Sequence, residues 1–191
     1  MPEFYDQCNC GYQPKAQPYL DAIARGLRDD YVARSFLLLE TEHCRSYEGA
    51  EILWSEQWHA RDPRNRMKCP FWSNYWYEPC PQCDCRIDNS VSMEIDAMFF
   101  FRKSTGKTLA IHIEMKRFHE PLSIGQAEAY RPRAGCFRDQ RRSRKTLLPH
   151  DDFVTVLFCE NDSGSVSNLQ YFDRVIAHAD AAEVFLGYPE R

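Results

Sequence analysis

Asp96, Glu114 and Lys116 carry the chemistry that this sequence can be organised around. They lie in residues 91–117, VSMEIDAMFFFRKSTGKTLAIHIEMKR, where two apolar runs flank the short polar turn Ser104-Thr105-Gly106. β-Branched and aromatic residues dominate both runs, so the spacing predicts a hairpin. Side chains alternate faces along a strand. On the second strand His112, Glu114 and Lys116 therefore share one face, and Ile111, Ile113 and Met115 the other. A turn centred on Thr105 sets Asp96 opposite Glu114 and Glu94 opposite Lys116. Directly opposed Cβ atoms are roughly 4.5–5.5 Å apart. Two carboxylates at that distance repel each other unless a cation lies between them. Oxygen ligands of this kind suit Mg²⁺ or Mn²⁺, which keep several waters and also bind substrate phosphates. Lys116, two residues past Glu114, is placed to stabilise a developing negative charge or to orient a nucleophilic water. The outline is that of a phosphodiester-cleaving site. The bland alternative is a surface hairpin whose charges are merely solvated.

Asp96, followed by Glu114-Met115-Lys116 on the next strand, resembles the signature of the PD-(D/E)XK nuclease superfamily. Gln126-Ala127-Glu128-Ala129-Tyr130 is similar to the QxxxY motif of its RecB-like branch. The resemblance covers residues 91–130, and Ile95 stands where the family's name has proline. It implies a restriction-endonuclease-like core, in which Asp96, Glu114 and the backbone carbonyl of Met115 bind Mg²⁺ or Mn²⁺. Gln126 and Tyr130, four apart on one helix face, would address the scissile phosphate or a metal-bound water. A further glutamate on a helix ahead of the hairpin is common in such nucleases. Glu51 is the first candidate for it and Glu48 the second.

The elements that must position these residues are legible to different degrees. Apolar residues at Leu20, Ile23, Ala24, Leu27, Tyr31 and Leu38 predict a helix over residues 18–39. Ser46 is placed to cap a second helix over residues 47–59, with Tyr47, Ala50, Glu51, Trp54 and Trp58 on one face. Residues 60–90 show no regular pattern. After the hairpin, residues 123–130 read as a short helix limited by Pro132, residues 153–159 as a buried strand, and residues 169–178 as a helix. This order predicts an α/β fold, a mixed central β-sheet flanked by helices, in one domain over residues 1–191 with a cysteine-rich insertion at residues 60–90.

Hydrophobic content of 43% with 27% charged residues reads as a globular chain. No apolar run approaches the roughly 20 residues of a membrane span, and the N-terminus lacks the basic and apolar regions of a signal peptide. A cytoplasmic location, with no membrane partner, is the expectation, and the nine cysteines are then thiols or metal ligands. Cys80 and Cys83 form a CPxC turn that presents two thiolates to one tetrahedral metal, and Cys69 and Cys85 complete a Cys₄ set for structural Zn²⁺. Cys8, Cys10 and His59 are substitutes for either of the last two. Some RecB-like nucleases hold an iron–sulfur cluster, but with cysteines on both sides of the core; here they cluster ahead of it, which favours zinc.

The net charge of −4 hides an uneven distribution. Arg131, Arg133, Arg138, Arg141, Arg142, Arg144 and Lys145 face a single acid, Asp139, within residues 131–145, whereas residues 151–191 hold eight acids against two arginines. The basic stripe reads as a phosphate-gripping surface beside the site. The leading expectation is a divalent-metal-dependent nuclease acting on DNA, with RNA left open. Its rivals are a non-catalytic nucleic-acid-binding module on a nuclease-like fold and a zinc-stabilised protein-interaction domain. A homodimer or a larger complex is compatible with this reading.

Overall fold

The computed structural model describes residues 15–60, 71, 76–77, 93–117, 120–123, 125–139, 147–160 and 166–189. Helices α1 (Gln17–Asp29) and α2 (Tyr31–Leu38) come first, then β1 (Glu51–Ile52), α3 (Trp54–Ala60), β2 (Trp76–Tyr77) and β3 (Met93–Glu94). They are followed by β4 (Ala97–Arg102), β5 (Thr108–Met115), α4 (Gln126–Arg138), β6 (Asp152–Cys159), a 3₁₀ turn at Val166–Tyr171, β7 (Arg174–Ala177) and α5 (His178–Val184). The main sheet has five strands in the order β1-β4-β5-β6-β7, and β2 and β3 form a separate two-stranded ladder. β1, β4 and β5 run antiparallel in turn, whereas β5, β6 and β7 are parallel, so the sheet is mixed.

The register of the central hairpin is the one its turn dictates. Ala97 pairs with Ile113 and Arg102 with Thr108. Gly106, at φ +88°, supplies the left-handed residue of the turn and donates its N–H to Lys103 O at 2.8 Å. Every residue of β5 is buried, as befits a central strand covered on both faces. Ile111, Ile113 and Met115 join Leu20, Ile23, Leu27, Val156, Phe158 and Phe185 in the larger core. Ala110 belongs to a second cluster with Met98, Phe100 and Phe137. Leu157 packs with Ala127, Tyr130 and Phe172 in a third. The sheet is thus a layer between α1, α2 and α5 on one side and α4 on the other.

Four expectations need correction. The first helix is two, because Asp30 turns extended and its Oδ1 accepts from Val32 N at 2.7 Å, capping α2. The helix expected over residues 47–59 begins only at Trp54. Gly49 is left-handed, at φ +72°, and Glu51–Ile52 instead pair with Arg102 and Phe101 of β4. Pro132 does not limit α4 but sits inside it. An interior proline costs a helix roughly 3 kcal/mol, and burial of Ala127, Tyr130, Ala134 and Phe137 offsets that cost. Finally, residues 174–177 form a strand rather than part of a helix. In that strand Ile176 reaches the larger core and Val175 the opposite face, an arrangement only alternation allows.

The cysteine-rich insertion lies almost wholly outside the described residues, as do Cys8, Cys10, Cys69, Cys80, Cys83 and Cys85. Among the described residues, no helix is long and apolar enough to cross a membrane.

Candidate active site

The site forms where β5 leaves the sheet. Asp96 stands one residue beyond the last paired position of β4 and ends the ladder with its side chain: Met115 N–H donates to Asp96 Oδ2 at 2.7 Å. Glu114 is nearly fully buried, and three donors converge on it. Gln126 Nε2 donates to Oε1 at 2.6 Å, Lys116 Nζ to the same oxygen at 2.8 Å, and Tyr130 Oη to Oε2 at 2.9 Å. Gln126 and Tyr130 begin and close the first turn of α4, which crosses over this face of β5. The Gln126 amide is oriented at its other end, where Oε1 accepts from Ser123 N at 3.0 Å.

These contacts revise three readings. Gln126 and Tyr130 do not stand ready to address a phosphate or a water; they hold the Glu114 carboxylate. Glu94 does not face Lys116, because it pairs with Trp76 in the small ladder and the hairpin ends at Ala97. Lys116 folds back onto Glu114 instead, so the cation that answers this carboxylate is the protein's own ammonium.

Burial raises the Glu114 carboxyl above the ordinary glutamate range, while Lys116, Tyr130 and Gln126 oppose that shift. Burial disfavours the charge on Lys116, but the adjacent Glu114 more than compensates, and with Glu120 and Asp96 nearby its pKa is raised. The three donors require an ionised acceptor, so the pair is an ammonium–carboxylate ion pair.

Glu51 and Glu48 do not join this site. Glu51 is exposed on β1 opposite Arg102, at the far end of β4. Six residues of strand separate Arg102 from Asp96, about 20 Å at the usual rise. Glu48 is exposed and accepts from Tyr31 Oη at 3.1 Å. Among the described residues no cluster of three or more histidine, cysteine, aspartate or glutamate side chains forms a metal cage. The donor set that remains is Asp96, Glu114 and the Met115 backbone. It fits Mg²⁺ or Mn²⁺, which needs only one or two carboxylates alongside water and substrate oxygens. Of roughly four lone-pair directions on the Glu114 carboxylate, three are taken, leaving one on Oε2. The Met115 side chain itself is buried in the larger core.

The three described residues of the basic stripe do not share one surface. Arg131 is half exposed and pairs with Asp173 at 3.1 Å. Arg138 pairs with Asp139 at 2.8 Å and lies over the Phe153 ring. Arg133 is buried and cannot present its guanidinium to a phosphate. Arg141, Arg142, Arg144 and Lys145 lie outside the described residues. His59, expected as a substitute zinc ligand, is exposed at the end of α3 and donates Nδ1–H to Ser55 O at 2.6 Å.

Two residues at the site carried no signal in the sequence. Beneath the exit of β5, His178 Nε2 donates to Lys116 O at 2.8 Å, and Tyr188 Oη lies 2.7 Å from His178 Nδ1. His178 is 62 positions from Lys116, and no short-range pattern joins them. No family model, no curated protein and no solved structure matches the chain.

Proposed function

We propose that the chain is a divalent-metal-dependent nuclease that hydrolyses DNA phosphodiester bonds on a restriction-endonuclease-like core of the PD-(D/E)XK, RecB-like kind. The observation that carries this reading is the convergence on Glu114. The acid and lysine of the ExK pattern are in contact, the glutamine and tyrosine of the QxxxY pattern hold the same carboxylate, and Asp96 is tied to the intervening Met115 amide. A surface hairpin with solvated charges would not bury them so. The element order, with an antiparallel hairpin followed by a helical crossover to a parallel strand, supports the same core.

In this reading Asp96, Glu114 and the Met115 carbonyl hold the ion. When bound, the ion supplies Lewis acidity toward the phosphate and lowers the pKa of a water. Gln126 and Tyr130 keep Glu114 ionised and oriented. Lys116 is anchored on Glu114 and directs positive charge to where negative charge develops on the phosphate. Arg131 and Arg138, with Arg141, Arg142, Arg144 and Lys145, hold the DNA backbone. Structural zinc on the cysteine-rich insertion belongs to the same proposal.

The test is incubation with circular and linear DNA in Mg²⁺ or Mn²⁺, beside Lys116→Ala and Asp96→Asn controls. Metal-dependent cleavage by the parent, lost in both variants, is the expected result. Parallel binding isotherms should show affinity falling with salt by roughly one unit of log–log slope per phosphate contact. Salt-sensitive binding with no cleavage would identify a non-catalytic binding module. Neither binding nor cleavage would leave a protein-interaction domain.

A further inference from the structure

Lys116 lies one residue past the end of β5, where side-chain direction is usually poorly defined. Both of its backbone polar groups are nevertheless tied. Its N–H donates to Phe158 O on β6 at 2.8 Å, and its carbonyl accepts from His178 Nε2 at 2.8 Å. The direction of that second bond follows from chemistry. A carbonyl oxygen can only accept, so Nε2 carries the proton. With the imidazole neutral, Nδ1 is then an acceptor and takes the proton of Tyr188 Oη, 2.7 Å away. Burial holds the Tyr188 phenol far above its ordinary pKa, so the hydroxyl keeps the proton it donates. The resulting chain runs Tyr188 Oη–H to His178 Nδ1, then His178 Nε2–H to Lys116 O.

The chain is also held rigidly from behind. The His178 and Tyr188 rings pack against each other and both against Tyr19 of α1. Tyr188 also packs against Phe158, whose carbonyl holds the Lys116 N–H. Met115, between Glu114 and Lys116, points into the same layer with its Sδ 3.9 Å from Tyr188 Oη. Glu114 is therefore held from one face of the sheet by α4, and Lys116 from the other by the segment around α5.

We propose that His178, backed by Tyr188, is a positioning residue that clamps the Lys116 backbone and so aims its ammonium at Glu114 and the reacting phosphate. The catalytic half of this statement rests on the nuclease reading; the clamp does not. His178 touches no reacting atom, and its effect passes through the Lys116 peptide.

The experiment compares the parent with His178→Phe, which keeps a ring but has no donor, and His178→Gln, whose amide nitrogen can replace Nε2. Tyr188→Phe is the milder variant if His178→Phe fails to fold; it removes only the hydroxyl that fixes the imidazole. Backbone hydrogen exchange is followed across the chain. In His178→Phe or Tyr188→Phe, exchange at Met115, Lys116 and Arg117 should rise about five- to tenfold, the scale of one net hydrogen bond. Amides in β4 and α4 should be unchanged, and His178→Gln should restore protection. On DNA, kcat should fall about tenfold with KM unchanged, and His178→Gln should recover it. Equal exchange at residues 115–117 in all four proteins overturns the clamp, and so does a uniform rise across the whole sheet. A parent that cleaves no DNA overturns the nuclease reading instead, and the exchange pattern still decides the clamp.

Discussion

Replacing Lys116 with alanine removes one partner of a buried ion pair. The ammonium is 2.8 Å from Glu114 Oε1, and the two side chains are 11% and 4% exposed. Water cannot reach in to take its place fully, so the carboxylate left behind is a charge stabilised only by Gln126 and Tyr130. Breaking such a pair costs about 3–5 kcal/mol. For a chain of this length that is a fall in melting temperature of about 6–20 °C. The deficit also depends on pH. Burial already raises the Glu114 carboxyl, and losing Lys116 removes the leading influence that lowers it. The folded variant then binds a proton more readily than the unfolded chain, whose glutamate titrates near the ordinary value of about 4.3. Stability therefore falls as pH rises from that value through the raised folded pKa, and the deficit should be largest at pH 8 and smallest below about pH 4.5. Thermal melts of parent and variant at a series of pH values measure it directly. The double variant Glu114→Gln with Lys116→Met should recover most of the loss, because no buried charge then remains. A Lys116→Ala protein melting within about 2 °C of the parent at pH 8 would refute the buried pair.

Asp96→Asn tests the other half of the site. Two bare facing carboxylates would make this change neutral or stabilising without metal. Because Lys116 already answers Glu114 and Asp96 accepts from Met115 N–H, a loss of about 1 kcal/mol is expected instead, read by thermal melts. Two glycine substitutions should act with opposite sign in the same assay. A Cβ at Gly26 would lie 2.6 Å from Phe185 Cδ1, so Gly26→Ala should destabilise by about 1–3 kcal/mol. Among the described residues a Cβ at Gly135 meets only Phe153, at 3.7 Å, so Gly135→Ala within α4 should stabilise by about 0.4–1 kcal/mol. Elemental analysis of reduced protein should find about one zinc, and chelation should lower stability by several kcal/mol. Zinc-free folded protein would end that expectation.

Local sequence determined the hairpin and its register. Side-chain alternation has a period of two, and a three-residue turn ending in glycine leaves little freedom, so the turn alone sets Arg102 opposite Thr108 and Ala97 opposite Ile113. The strand over residues 153–159 was equally plain, because a run apolar at all but Thr155 needs burial on both faces. Where two periodicities competed, packing decided. Val175 and Ile176 satisfy a helix pattern, yet they serve opposite faces of a sheet edge. Glu51 looked like a site acid only on a helix that Gly49 and the pairing of Ile52 with Phe101 do not permit. What tertiary structure alone decided is the environment of the charges. Sequence placed Glu114, Lys116, Gln126 and Tyr130 in one region, but not which of them bind one another. That depends on how α4 settles over β5 and how deeply the exit of the strand is buried, since burial turns an exposed charge that water would solvate into one that must find donors. The His178–Tyr188 chain beneath Lys116 is the clearest case. Its members meet only because α5 and the residues after it pack behind β5, a contact made by the whole core rather than by any local pattern.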